Sequence, residues 1–169
     1  EEIINDSVLQ EALMRSLIIA MGNALLSTVL GTMAALALQR SGFRAKKFLE
    51  TLSMLSLVMP ELVFALSLLS WFSILKMELS LTTVMIAHVS FTLSFVILIV
   101  SSRLSATDFS LDEAAQDLGA SAWVVLVRVT LPILKPALGT AFILSFLLSF
   151  DDFLITFFTS GVGSDTLPI

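Results

Sequence analysis

Four ionisable side chains stand inside long apolar runs of this sequence: Glu61, His88, Asp151 and Asp152. An acid near the centre of a bilayer costs roughly 2.5 to 3.5 kcal/mol on insertion scales, so each needs a reason to be there. Carboxylates between apolar walls attract ammonium groups, and a neutral imidazole beside them is a hydrogen-bonding partner. The chemistry these residue types suggest is passage of a cation along a polar layer. A structural explanation stands next to it. Glu61 can satisfy backbone freed by Pro60, one aspartate can cap a helix or pair with another subunit, and His88 can bridge buried polar groups. Asp152 projects about 100° around a helix from Asp151, so one of the two faces a path, and Asp151 is the preferred one. The 13 Phe and 2 Trp offer faces that attract ammonium ions. Aromatics in a membrane bundle also serve packing and anchoring, and none is assigned a ligand role.

Other chemistries find little support. No G-x-x-x-x-G-K-[ST] stretch is present to cradle a nucleotide's phosphates. The single histidine is mid-span, and no Ser-His-Asp ordering is persuasive. Cysteine is absent, which removes thiol nucleophiles, disulfides and Cys-bearing metal sites. The chain therefore reads as a non-enzyme that binds no cofactor or metal of its own, and nothing in it suggests a nucleic-acid partner.

The elements that must position the four residues are membrane helices. Hydrophobic residues make up 57% of the 169 and charged ones 14%, against roughly 25% charged in a soluble domain. Mean hydropathy is +1.00. The expected fold class is all-α, a polytopic membrane helix bundle forming one transmembrane domain over residues 1–169. Its four spans are 17–38, 48–75, 79–100 and 136–158, each long enough for a hydrocarbon core of about 30 Å. Before the first span, Asn5, Asp6 or Ser7 could cap a short helix lying on the membrane surface. Gly22 and Gly31, with Ala24, Ser27, Ala34 and Ala35, give the first span small positions that permit close helix contact. Pro60 should kink the second span. Lys76-Met77-Glu78 forms a short turn, and the tail from Thr159 reads as a loop. The chain opens on Glu1 with no basic and apolar leader, which suggests a fragment.

Counting along the spans gives depths. Glu61 lies thirteen residues into the second span and Asp151 fifteen into the fourth. Both therefore sit roughly 20 Å from the side where those spans enter, and His88 comes out slightly deeper from the other side. Positive residues set the orientation. Arg40, Arg44, Lys46, Lys47, Arg103, Arg128 and Lys135 fall in two loops that must share a side, and only Arg15 and Lys76 fall on the other. The long loop 101–135 is thus expected in the cytoplasm, and both ends of the chain outside.

That loop holds the one long polar-to-amphipathic passage, SLDEAAQDLGASAWVVLVRVTLPILKP over residues 110–136. Ser110 and Glu113 have capping-box spacing, which predicts a helix from Leu111 with Leu111, Ala114, Ala115 and Leu118 on one side. Gly119 can supply the left-handed residue that ends it. Ser121 can cap a second short helix from Ala122 to about Thr130, interrupted by Pro132 and Pro136. Two short helices about a glycine bend make a projection suited to being gripped by a partner.

Glu113-Ala114-Ala115, Gly119 and Val129-Thr130-Leu131-Pro132 at this spacing resemble the EAA loop of permease subunits of bacterial ATP-binding-cassette importers. The family usually has Ile where Val129 stands. The resemblance implies that Glu113, Ala114, Ala115, Asp117, Leu118 and Gly119 form a cytoplasmic coupling helix that docks on an ATPase dimer, with ATP and Mg used by that partner. The block SFLLSFDDFLITFFTSG over 145–161, with the blocks around His88 and Glu61, is similar to permease subunits of spermidine/putrescine importers of the C type. It implies four of six family spans, a second permease subunit, an extracytoplasmic polyamine-binding protein and a bacterial inner-membrane location. Related permeases carry ferric iron, sulfate and other solutes, and a secondary transporter or a structural membrane subunit remains a further alternative.

Overall fold

The computed structural model describes residues 7–40, 51, 58–108, 110–161 and 166–168. Among the described residues the α-helices with stated bounds are, in order, α1 (Ser7–Arg40), α2 (Glu61–Ile74), α3 (Leu81–Ser105), α4 (Ser110–Asp117), α5 (Ala122–Val125), α6 (Leu131–Phe150) and α7 (Leu154–Thr159). A π-helical turn, Leu126–Thr130, joins α5 to α6. Among the described residues, three stretches are long and apolar enough to cross a membrane: Leu9–Gln39, Leu81–Ser105 and Ala122–Phe150. Among the described residues the regular structure is helical, and a helix pairs its interior backbone groups within the segment, as lipid demands.

Several expected boundaries change. The surface helix and first span are one continuous α1 of 34 residues, because an exposed ion pair, Arg15 to Glu11 at 2.8 Å one turn apart, sits comfortably on a helix and gives no reason to break it. Asn5 and Asp6 lie outside the described residues. Of the second span, α2 is the long described part, with 14 residues, and 48–50 and 52–57 lie outside them. So do Arg44, Lys46 and Lys47. Pro60 stands immediately before α2: its ψ of 131° is extended, and its carbonyl accepts the Phe64 amide. Proline lacks an amide and suits a helix start. The helix ends on Lys76, whose φ of 53° is left-handed, with the Met77 amide reaching back to the Phe72 carbonyl at 3.0 Å.

The fourth span, 136–158, is not one helix. It breaks after Phe150 and resumes at Leu154 as α7. At its other end it runs farther than expected, because the second helix of the hairpin continues into it. Pro132 would clash with the carbonyl four residues back in a regular α-helix. The wider π-helical turn just before it relieves that crowding without ending the helix.

Two apolar clusters divide the bundle. Ala35 of α1, Val96, Val100 and Leu104 of α3, and Leu134 and Ala141 of α6 form one, near the hairpin. Ala65 and Phe72 of α2, Ala87 of α3 and Ile155 of α7 form the other, at the opposite end. The small residues of α1 face α3: a Cβ on Gly31 would come within 2.5 Å of Val96 Cγ1, and one on Gly22 within 2.6 Å of the Met85 methyl. Between the clusters, Asn23, Ser27 and Thr92 hydrogen-bond one another at 2.7 to 3.1 Å. Asn23 also donates to the Ser145 carbonyl of α6 at 2.9 Å. This polar knot ties α1, α3 and α6 together where no water is available to do so.

Candidate functional site

The helix break puts Asp151 and Asp152 in different surroundings. Asp151 closes α6 with its amide on the Leu147 carbonyl at 3.1 Å, and its side chain is exposed. Asp152 turns inward and is only 6% exposed. Its carboxylate caps the first turn of α7, accepting the Thr156 amide at 2.8 Å and the Ile155 amide at 3.4 Å. The Thr156 hydroxyl adds a third contact at 3.0 Å.

His88 of α3 reaches this capped break from the side and is 2% exposed. Its Nδ1 lies 2.6 Å from Ser149 Oγ on α6. Its Nε2 lies 2.9 Å from Thr156 Oγ1 and 3.2 Å from Asp152 Oδ2. The Thr156 hydroxyl donates to Asp152, so its oxygen is free to accept, and Nε2 carries the proton. Nδ1 then accepts from Ser149. This tautomer gives every polar atom of the cluster a partner of the right sense.

Glu61, at the first turn of α2, faces the same cavity as Asp152. Glu61, Leu147, Leu148, Phe150, Asp151 and Asp152 line a cavity of about 500 Å³. Three carboxyls against apolar walls can receive an amine-bearing chain: acids for the ammonium heads, Leu147, Leu148 and Phe150 for the methylenes. The structure thus gathers all four intramembrane candidates at one level, Glu61, Asp151 and Asp152 on the cavity and His88 behind them. The preference for Asp151 over Asp152 rested on an unbroken helix. With the helix broken, both line the cavity, and Asp152 is the one buried against His88. Ser149 and Thr156, which hold the imidazole, were not singled out in the sequence; their spacing of seven residues across Asp151-Asp152 is the signal that was there to find.

At the other end, α4 and α5 form the expected hairpin. Gly119 has φ of +86° and ends α4, with the Ala120 amide on the Ala115 carbonyl at 3.0 Å. Ser121 caps α5 by accepting the Val124 amide at 3.5 Å. The start of α4 differs from expectation: Ser110 is already helical, and Asp108 accepts its amide at 2.9 Å. Asp108 is two residues ahead, where a carboxylate reaches a first-turn amide, so it takes the capping place assigned to Ser110. Glu113, Ala114, Asp117 and Gly119 are exposed and Ala115 half-buried, while Leu118 is 90% exposed and Trp123 of α5 71%. These are large apolar side chains left uncovered on either side of the glycine bend.

The family model described as "Binding-protein-dependent transport system inner membrane component" matches residues 27–169. The chain belongs to this family. As an inner membrane component with three helices of membrane-crossing length, it is a bacterial inner-membrane protein, and its family comprises transport components rather than enzymes. Within the family it is 38% identical over 165 residues to the spermidine/putrescine transport system permease protein PotC of Escherichia coli strain K12, covering 98% of this chain and 62% of that one. Against PotC of Haemophilus influenzae it is 36% identical over 169 residues, covering 100% and 66%. Against the putrescine transport system permease protein PotI of Escherichia coli strain K12 it is 38% identical over 175 residues, covering 99% and 62%. The chain thus spans somewhat under two thirds of the length of these relatives. The fold is that of a bacterial ABC transporter involved in the import of the acidic polysaccharide alginate, with TM-score 0.80 at 16% identity, over 99% of this chain and 58% of that one.

Proposed function

We propose that this chain is the membrane-spanning part of a permease subunit in an ATP-driven polyamine importer. The observation that carries the reading is the cavity of Glu61, Asp151 and Asp152 against Leu147, Leu148 and Phe150. Acids beside an apolar wall suit an aliphatic polycation, and they repel an oxyanion such as sulfate. The names of the relatives PotC and PotI support the same substrate class.

The motor lies elsewhere. An ATPase dimer, using ATP and Mg, grips the hairpin at Glu113, Ala114, Ala115, Asp117, Leu118 and Gly119 and moves it as it closes. Differential contact with the two ATPase states gives that movement its driving force. Because α5, the π-helical turn and α6 are continuous, displacement of the hairpin is delivered along α6 to the break at Asp151, where the cavity is. A second permease subunit completes the path, and an extracytoplasmic binding protein delivers the solute.

The test is reconstitution of the full-length protein with its ATPase, second permease and binding protein in liposomes. ATP-dependent uptake of labelled spermidine or putrescine is expected, lowered at least ten-fold by Glu61→Gln with Asp151→Asn. Uptake indifferent to both substitutions overturns the cavity as the solute path, and failure to recover an ATPase with the protein in detergent overturns the importer.

A further inference from the structure

The two sides of the helix break belong to different packing units. α6 packs on α1 and α3 around the cluster near the hairpin, whereas α7 packs on α2 and the opposite end of α3. The far end of α7 is fastened to the head of α3. Thr83 donates to the Thr159 carbonyl at 2.8 Å, and Gly161 lies so close to the Leu79 carbonyl that no side chain fits between them. Asp151-Asp152-Phe153 is therefore the non-helical joint of a span whose halves pack on different neighbours, α1 for α6 and α2 for α7, with α3 common to both.

His88 is the side chain that grips both halves. Its Nδ1 side holds Ser149 in the last turn of α6, and its Nε2 side holds Asp152 and Thr156 in the first turn of α7. Both contacts are buried, so water does not compete for them. We infer that His88 is a positioning residue, a staple that fixes α6 relative to α7 and thereby holds Asp152 at the cavity that Glu61 also lines. Movement of α6 breaks the contact with Ser149 and leaves the contact with Asp152, so the staple opens on the α6 side and the cavity carboxyls part. This rests on the cavity being the solute path.

The experiment places spin labels at Ile143→Cys on α6 and Phe157→Cys on α7, both more than half exposed, in the full-length protein freed of other cysteines and assembled with its partners. One narrow distance is expected with His88 and Ser149 intact. Ser149→Ala and, independently, His88→Phe should each add a second distance, and Ser149→Thr should restore the single one. Maximal uptake should change by roughly five-fold in Ser149→Ala, as expected for one hydrogen bond, with KM for the polyamine unchanged. A second distance that persists in Ser149→Thr, which keeps the hydroxyl, would make Ser149 a packing residue and overturn the staple. Distance distributions that are the same in the intact protein and in both disrupting variants overturn the staple. Absence of polyamine uptake by the intact complex would instead sink the substrate reading, and the label distances would still decide the staple.

Discussion

The Thr130 hydroxyl lies 3.3 Å from each carboxylate oxygen of Asp112, joining the exposed helix α4 to the π-helical turn that leads into α6. The bond crosses the hairpin, so α4 is tied to the turn that leads into α6 directly and not only through the bend at Gly119. At these distances such a bond contributes about 1 kcal/mol. Asp112→Ala and Thr130→Val are each expected to lower ATP-dependent uptake a few-fold while the ATPase still copurifies. The double variant should do little more than either alone, as for two partners of one bond. Additive losses in that cycle would refute a shared role.

Gly31 sits at a close approach of α1 to α3. Gly31→Ala puts a methyl 2.5 Å from Val96 Cγ1 and 2.7 Å from Val96 Cβ, neither of which is the free end of a long side chain. The helices must separate, at a cost of about 1 to 3 kcal/mol. Gly139→Ala is the control, because nothing lies within 4 Å of its Cβ position. Thermal unfolding in detergent is expected to show a lower midpoint for the first and none for the second.

How much of this could be read from the chain beforehand follows from the range of each interaction. The hairpin was legible because its determinants are local: Gly119 must take φ of +86°, and Ser121 reaches an amide three residues on. The packing of Gly22 and Gly31 was legible as a pattern of small residues. The break at Asp151 was not. A run of apolar residues with two acids has helical length, and only the pull of His88, more than sixty residues earlier in the chain, with the cap on Thr156, shows that the helix stops. Pro132 misled for a related reason. Proline signals an end, but one π-helical turn absorbs it, and helix-width adjustments leave no mark in hydropathy.

Asp108 gives the head of α4 a pH dependence. Hydrogen bonds from the Ser110 amide and then its hydroxyl hold the carboxyl below the usual aspartate range, against a small opposing effect of burial. A lowered folded-state value means that the stabilisation is complete above the ordinary aspartate range and is lost as pH falls through the folded-state value. Hydrogen exchange of the Ser110 amide should therefore be protected at neutral pH and lose protection on acidification. In Asp108→Asn, which retains an acceptor but cannot ionise, the protection should be weaker and flat with pH. A pH-dependent variant would show that another group is responsible.

The two adjacent aspartates should separate stability from transport. Asp152→Ala strips partners from His88 Nε2 and the Thr156 amide, both buried, at a cost of about 3 kcal/mol. Asp151→Asn keeps the backbone bond to Leu147 and an exposed side chain, so its effect on stability should stay within about 0.5 kcal/mol. Uptake is nevertheless expected to fall several-fold in Asp151→Asn, because a cavity carboxylate has lost its charge. Measuring unfolding and uptake on the same preparations checks this. A destabilised Asp151→Asn or a fully stable Asp152→Ala would reverse the assignment.

The bend at Gly119 tests whether the hairpin acts as a rigid lever. A Cβ there meets nothing within 4 Å, so Gly119→Ala introduces no clash and acts through the backbone alone. An L-residue held at φ of +86° costs about 1 to 2 kcal/mol, and the strain is relieved by letting the bend open. Asn tolerates the left-handed region better than Ala, which separates backbone strain from mere loss of glycine. Leu118, at 90% exposure, has almost no contact within the chain to lose. Gly119→Ala is therefore expected to cut ATP-dependent uptake about five-fold or more and Gly119→Asn less. Leu118→Ser should weaken recovery of the ATPase without lowering the unfolding midpoint. Equal uptake in the alanine and asparagine variants would remove the backbone argument. Full ATPase recovery by Leu118→Ser would place the docking contact on another part of the hairpin, with the exposed Trp123 the next side chain to truncate.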